Sequence, residues 1–117
     1  MNLEILRKYC SQKRGVTEDF PFDDETMVIK VGRKMFLLVN ITRKPLHMNL
    51  KCDPLVAEGL RDRYKSVLPG YHMNKRHWNT IILDGTVPDN VICSMIDDSY
   101  DLVYSGLKKS EREVIGK

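Results

Sequence analysis

In the stretch PGYHMNKRHWNTIILDG, residues 69–85, His72, Lys75, Arg76 and His77 crowd the chain's single tryptophan, Trp78. Four chemistries draw on such residue types: acid–base catalysis by a histidine, metal ligation by two of them, phosphate contact through the cations, and base stacking on the indole. Catalysis finds no template, because G-x-x-x-x-G-K-S/T, G-x-G-x-x-G, G-x-S-x-G and H-E-x-x-H are all missing. His72 and His77 are five apart, the wrong spacing for one helix face, and no cysteine or carboxylate stands within a few residues to complete a metal site. Capping a turn, or packing beside Trp78, accounts for these histidines better than zinc. The acids Glu18, Asp19, Asp23, Asp24 and Glu25 lack the spacing of a calcium loop and read as a solvated segment. The expectation is a chain without metal or cofactor, and not an enzyme.

Phosphate contact has more support. Lys30, Arg33 and Lys34 straddle one glycine-containing turn, Arg43 and Lys44 occupy a second, and Lys75 and Arg76 a third. Residues 27–83 carry eleven cations against three acids, flanked by acidic blocks at 17–26 and 84–101. Protruding cations that reach a backbone from several sides suit phosphate binding. The rival account is that exposed turns favour charge and that lysines on strand edges discourage aggregation. Trp78 shares a strand face with Thr80 and Ile82, while Asn79, Ile81 and Leu83 share the other. Which face is buried stays open from the pattern, and one aromatic is not a stacking platform, so packing is the expected role.

These residues need elements to hold them. The length of 117 residues, 42% hydrophobic and 30% charged, predicts one globular domain over 1–117. Three dispersed cysteines, Cys10, Cys52 and Cys93, with no apolar leader and no membrane-length run, predict free thiols in a cytoplasm. A helix is expected over 2–13, capped by Asn2, followed by a loop, VTEDFPFDDET, whose Phe20 and Phe22 tuck under a sheet. MVIKV and MFLLVNI form a hairpin, and HMNLKC alternates as a strand buried on one side, with Lys51 on its wet side. Asp53-Pro54 starts a helix with Val56 and Leu60 on its inner stripe and Leu55 beside them; Leu68-Pro69-Gly70 stops it. YHM and HWNTIIL are read as strands around the tip NKR, and Pro88 opens a last helix with Ile92, Met95, Ile96, Ser99 and Val103 inward. The tail after Leu107 is expected to fray. The order α-β-β-β-α-β-β-α predicts an α+β two-layer sandwich, an antiparallel sheet covered on one face by helices.

Across YHMNKRHWNTIILDGTVPDNVICSMIDDSYDLV the sequence resembles the MmcQ/YjbR family of small bacterial proteins, and VIKVGRKMFLLVNI and MNLKCDPLVAEGLRDRY fit that family's earlier blocks. The resemblance covers nearly the whole chain. It implies a fold similar to the frataxin-like CyaY architecture and a DNA-binding protein with a double-wing motif. It marks His72, Asn74, Lys75, His77, Trp78, Asp84 and Gly85 as motif positions without giving any of them a catalytic role. Frataxin-like iron binding through acids of the first helix is not implied, since that helix has only Glu4 and a net positive charge.

The reading that results is a monomeric, cytoplasmic, non-enzymatic DNA-binding domain with little sequence preference. Lys30, Arg33, Lys34, Arg43, Lys44, Lys75 and Arg76 contact phosphates, provided their turns gather into one ridge. About six contacts would give a log–log salt slope near −5. The alternative is a protein- or small-ligand-binding module that uses the open sheet face and leaves nucleic acid alone.

Overall fold

The first helix starts where an asparagine side chain can hold it. In the computed structural model, which describes residues 1–116, Asn2 Oδ1 accepts a hydrogen bond from Ile5 N at 2.9 Å and α1 runs Leu3–Ser11. Then follow β1 (Val16–Asp19), β2 (Thr26–Val31), β3 (Lys34–Asn40), β4 (His47–Lys51), α2 (Pro54–Arg63), β5 (Val67–Pro69), β6 (Trp78–Ile82), α3 (Asp89–Ser105) and α4 (Lys109–Ile115). The six strands make one antiparallel sheet in the order β1-β2-β3-β4-β6-β5.

α1 and α3 cover one face, where Leu6, Ile29, Leu37, Leu50, Ile81 and Ile96 are wholly or almost wholly buried. Every residue expected on the inner stripe of α3 is buried there. Ser99 on that stripe has a specific task. A register shift between Ile29 and Lys30 leaves Phe36 without an opposite residue on β2. Ser99 Oγ donates to the Phe36 carbonyl at 2.6 Å and accepts from Lys51 N at 2.9 Å, so the hydroxyl bridges β3 and β4 past their last paired residues. The α+β two-layer architecture expected from the sequence is the one observed.

Five local expectations are corrected. The acidic segment 16–26 is not all loop: its first residues pair with β2 as an edge strand whose exposed charges suit an edge. Phe20 and Phe22 do not tuck under the sheet but stay exposed, Phe22 by 65%. In α2 the buried contact is Ala57, with Leu60 half-buried, whereas Leu55 and Val56 face outward. That helix lies over the β5 margin of the sheet, so a small residue makes the close approach. The short strand before the third turn is Val67–Pro69, not residues 71–73, because Pro69 pairs with Asn79. The tail is also more regular than expected, since α4 packs Ile115 against the glycines at 15 and 32. Gly32 has φ +59°, and a Cβ there would also meet Leu107 at 3.2 Å, so the β2–β3 turn needs its glycine.

Candidate functional site

Strand direction decides where the cationic turns point. β2 ends at Val31 and β3 begins at Lys34, with Val31 and Lys34 paired. β4 runs antiparallel to β3 and ends at Lys51, which pairs with Trp78 at the start of β6. β5 ends at Pro69, opposite Asn79. The β2–β3 turn, Lys51 and the β5–β6 loop therefore share one end of the sheet. The β3–β4 turn, with Arg43 and Lys44, lies at the other end.

The seven cations thus do not form one ridge. At the first end Arg33, Lys34 and Lys51 line a depression of ≈ 340 Å³ together with Trp78, Leu102 and Gly106, and no acid lines it. Lys75 and Arg76 lie on the adjoining β5–β6 loop. Two of the group are engaged internally: Lys34 Nζ donates to the Gly106 carbonyl at the end of α3 at 3.1 Å, and Lys30 Nζ stands 4.0 Å from Asp19. Lys51 was outside the sequence-level set, although the alternation of HMNLKC already placed it on the wet side of its strand. On the far side of Leu102 the sign reverses, and Asp53, Asp98 and Asp101 line a second depression beside Cys52. Burial raises the Asp98 carboxyl above its ordinary range, and repulsion from Asp101 and Asp97 adds to it. The acids of this end therefore lie on its α3 side, and the cations at its strand tips.

The β5–β6 loop is fastened from both sides. Asn74 Oδ1 accepts from the backbone N–H groups of Arg76 at 2.9 Å and His77 at 3.2 Å, and the Asn74 carbonyl accepts from Trp78 N at 2.9 Å. Arg61 on α2 donates to Asn79 Oδ1 at 2.7 Å, to the Trp78 carbonyl at 3.3 Å and to the Lys75 carbonyl. Gly70 N donates to the Trp78 carbonyl at 2.8 Å, and a Cβ on Gly70 would sit 2.8 Å from Trp78 Cβ. Trp78 itself is on the helix-free face, packed with Val28 and Leu38 and flanked by Met35 and Met73. It is 9% exposed, so packing is its role in this structure, as the sequence suggested.

The other motif positions make the following contacts. His77 gives its carbonyl to Cys52 N at 2.7 Å. His72 adopts φ +59° and sets its ring against that of Tyr71, tilted by 52° with centroids 4.0 Å apart. Asp84 accepts from Ser66 Oγ, Thr86 Oγ1 and Thr86 N at 2.6, 2.6 and 3.0 Å, and these bonds pull its carboxyl down to about 2. Gly85 follows with φ +88°. Among the described residues no three His, Cys, Asp or Glu side chains converge as a metal site. The thiols of Cys10 and Cys52 are buried and raised by desolvation, Cys10 to about 12.

The helix-free face holds a larger concavity, ≈ 770 Å³, floored by β3, β4 and β6 and walled by the segments around Phe22, Arg43 and Tyr71. Arg43, which a single basic ridge would require at the first end, stands here instead.

A family model described as YjbR matches residues 11–102, a span that includes all three cationic turns. Escherichia coli YjbR, itself described as uncharacterized, is 33% identical over 115 residues, 98% of this chain and 98% of that protein. Bacillus subtilis YyaQ is 30% identical over 113 residues, 85% of this chain and 95% of that protein. The crystal structure of a Deinococcus radiodurans DUF419 domain protein is similar with a TM-score of 0.93 and 44% identity, over 98% of this chain and 88% of that one. A Pseudomonas syringae protein is similar with a TM-score of 0.76 and 28% identity, over 87% of this chain and 98% of that one.

Proposed function

The chain belongs to the YjbR family, and on that premise we propose that it is a non-enzymatic DNA-binding domain that contacts phosphates from one end of its sheet. Arg33, Lys51, Lys75 and Arg76 make the contacts. The observation that carries this reading is the acid-free depression lined by Arg33, Lys34 and Lys51 beside the Lys75–Arg76 loop. Lys34 and Lys30 contribute field rather than contacts, because each already has an internal partner. Arg43 and Lys44 take no part. The cations sit on turns and a strand end, with no helix presented to a groove, so sequence preference is small and affinity falls in the non-specific range of about 10⁻⁴–10⁻⁶ M at physiological salt. Its free thiols suit a reducing compartment, and we place the domain in the bacterial cytoplasm.

Four contacts in place of six lower the expected salt dependence, to a log–log slope of about −3.6 on duplex DNA. Fluorescence anisotropy of a labelled duplex, titrated across salt concentrations, measures it. Reversal at the proposed end, Lys75→Glu with Arg76→Glu, should weaken binding by more than about tenfold, whereas Arg43→Glu with Lys44→Glu should leave it nearly unchanged. A folded K75E/R76E protein that binds as well as the parent refutes the assignment, as does equal damage from the two reversals.

A further inference from the structure

We propose that the concavity on the helix-free face is a binding site for a small organic carboxylate with an aromatic or branched apolar body. This goes beyond the DNA reading and does not depend on it. The volume of ≈ 770 Å³ lies within the range of about 300–1,000 Å³ usual for small-molecule sites. Leu38 and Met35 of β3 supply an apolar floor, and Leu68, Met73 and the exposed rings of Phe22 and Tyr71 supply walls. Exposed aromatic rings turned toward a concavity are the expected partners of a flat apolar body.

The polar groups select the other end of the ligand. Asn40 Oδ1 is occupied by Thr42 N at 3.0 Å and Thr42 Oγ1 at 2.8 Å, which leaves the amide NH₂ as its available group. Asn49 Oδ1 accepts from Thr80 Oγ1 at 2.5 Å, and Thr80 Oγ1 accepts in turn from Tyr71 N at 2.9 Å, so Asn49 also has its NH₂ to offer. His47 Nδ1–H donates to the Pro45 carbonyl at 2.9 Å, which fixes the tautomer and leaves Nε2 as the free ring nitrogen. Arg43 has no hydrogen-bond or ion-pair partner among the described residues. A guanidinium and two oriented amides match the acceptors of a carboxylate, and the guanidinium can take both oxygens at once.

One acid, Asp23, lines the same concavity. Its Oδ1 accepts from Glu25 N at 2.9 Å and Thr26 N at 2.7 Å, and its Oδ2 from Thr26 Oγ1 at 3.3 Å. Those bonds hold it in its turn at the start of β2. Its charge directs the ligand carboxylate away from β2, toward the Asn49 amide on β4 and the Arg43 guanidinium. Row pairing keeps these groups in reach of one another: Asn40 is opposite His47, Asn49 opposite Thr80, and Leu38 opposite Asn49.

The test compares 3-phenylpropionate with its neutral analogue 3-phenylpropionamide, titrated into the full chain and followed by NMR. The acid should shift the side-chain amides of Asn40 and Asn49 and the methyls of Met35 and Met73 saturably, at least about tenfold tighter than the amide. Arg43→Gln should abolish that advantage, Arg43→Lys should keep part of it, and K75E/R76E should leave it intact. Both Arg43 variants should keep the parent's unfolding midpoint. Equal affinity for acid and amide overturns the proposal. So does the absence of saturation by about 10 mM, or shifts confined to the Arg33–Lys51 end.

Discussion

Arg61 gives the sharpest test of how the cationic loop is held. Its guanidinium is the partner of Asn79 Oδ1, and Asn79 is 1% exposed, so Arg61→Met leaves a buried acceptor with nothing to bond. A bond from a charged donor to such an acceptor is worth about 1.5–3 kcal/mol. The Lys75 carbonyl is exposed, where water replaces the lost donor, and the Trp78 carbonyl keeps its bond from Gly70 N, so the two add about 0.5–1 kcal/mol between them. The expected loss is about 3 kcal/mol. At a urea m-value of about 1.5 kcal/mol/M, that lowers the midpoint by about 2 M, read directly from the fluorescence of the single tryptophan. Asn79 Nδ2 is buried and unpartnered even in the parent. Asn79→Leu should therefore recover most of the loss in the Arg61→Met background, leaving a coupling of about 2 kcal/mol between the two positions. An Arg61→Met protein within about 0.5 kcal/mol of the parent, or an Asn79→Leu change that fails to rescue, refutes the reasoning.

Two further outcomes follow from other bonds. Ser99→Ala removes the donor to the buried Phe36 carbonyl and the acceptor for the part-buried Lys51 N, and should cost about 2–3 kcal/mol in urea unfolding. Asp84 is held near 2 in the fold against an ordinary 3.8, so its stabilisation is fully present above about pH 4 and is lost as pH falls through its folded value. The gap in melting temperature between the parent and Asp84→Asn should accordingly narrow from pH 5 to pH 2; a gap that is constant over that range contradicts the assignment of those three bonds.

Much of the scaffold was legible because local chemistry and tertiary packing agree in it. Asn2 caps α1, Asp53-Pro54 starts α2, and the α3 stripe is buried as its spacing demands. β5 escaped because three residues ending in proline show no alternation, and only pairing with β6 makes them a strand. The inner face of α2 escaped because a marginal helix meets the sheet through a small residue, Ala57, which hydrophobicity does not single out. The splitting of the cationic turns was available in principle. Two successive hairpins in an antiparallel meander reverse the chain twice, so their turns must lie at opposite ends of the sheet. Arg33 and Arg43 could never have shared an end. The third turn could not be placed this way, because α2 intervenes before β5 and a helical connection can return the chain to either end.

The loop that carries Lys75 and Arg76 also contributes Tyr71, His72 and Met73 to the concavity, so the two surfaces share a segment. Sharing would couple them only if the loop had two arrangements for a ligand to choose between. Its bonds argue against that. Asn74 fixes the Arg76–His77 backbone, Arg61 holds the carbonyls of Lys75 and Trp78, and Tyr71 N is tied to Thr80 Oγ1. Each fastening lies between the cations and the concavity or flanks them, so a molecule seated on Tyr71 meets a loop already ordered. A ligand with no second state to favour shifts nothing, however tightly it binds. The two surfaces should therefore be energetically independent in the parent and become coupled only when Arg61 is removed, which frees the loop to move.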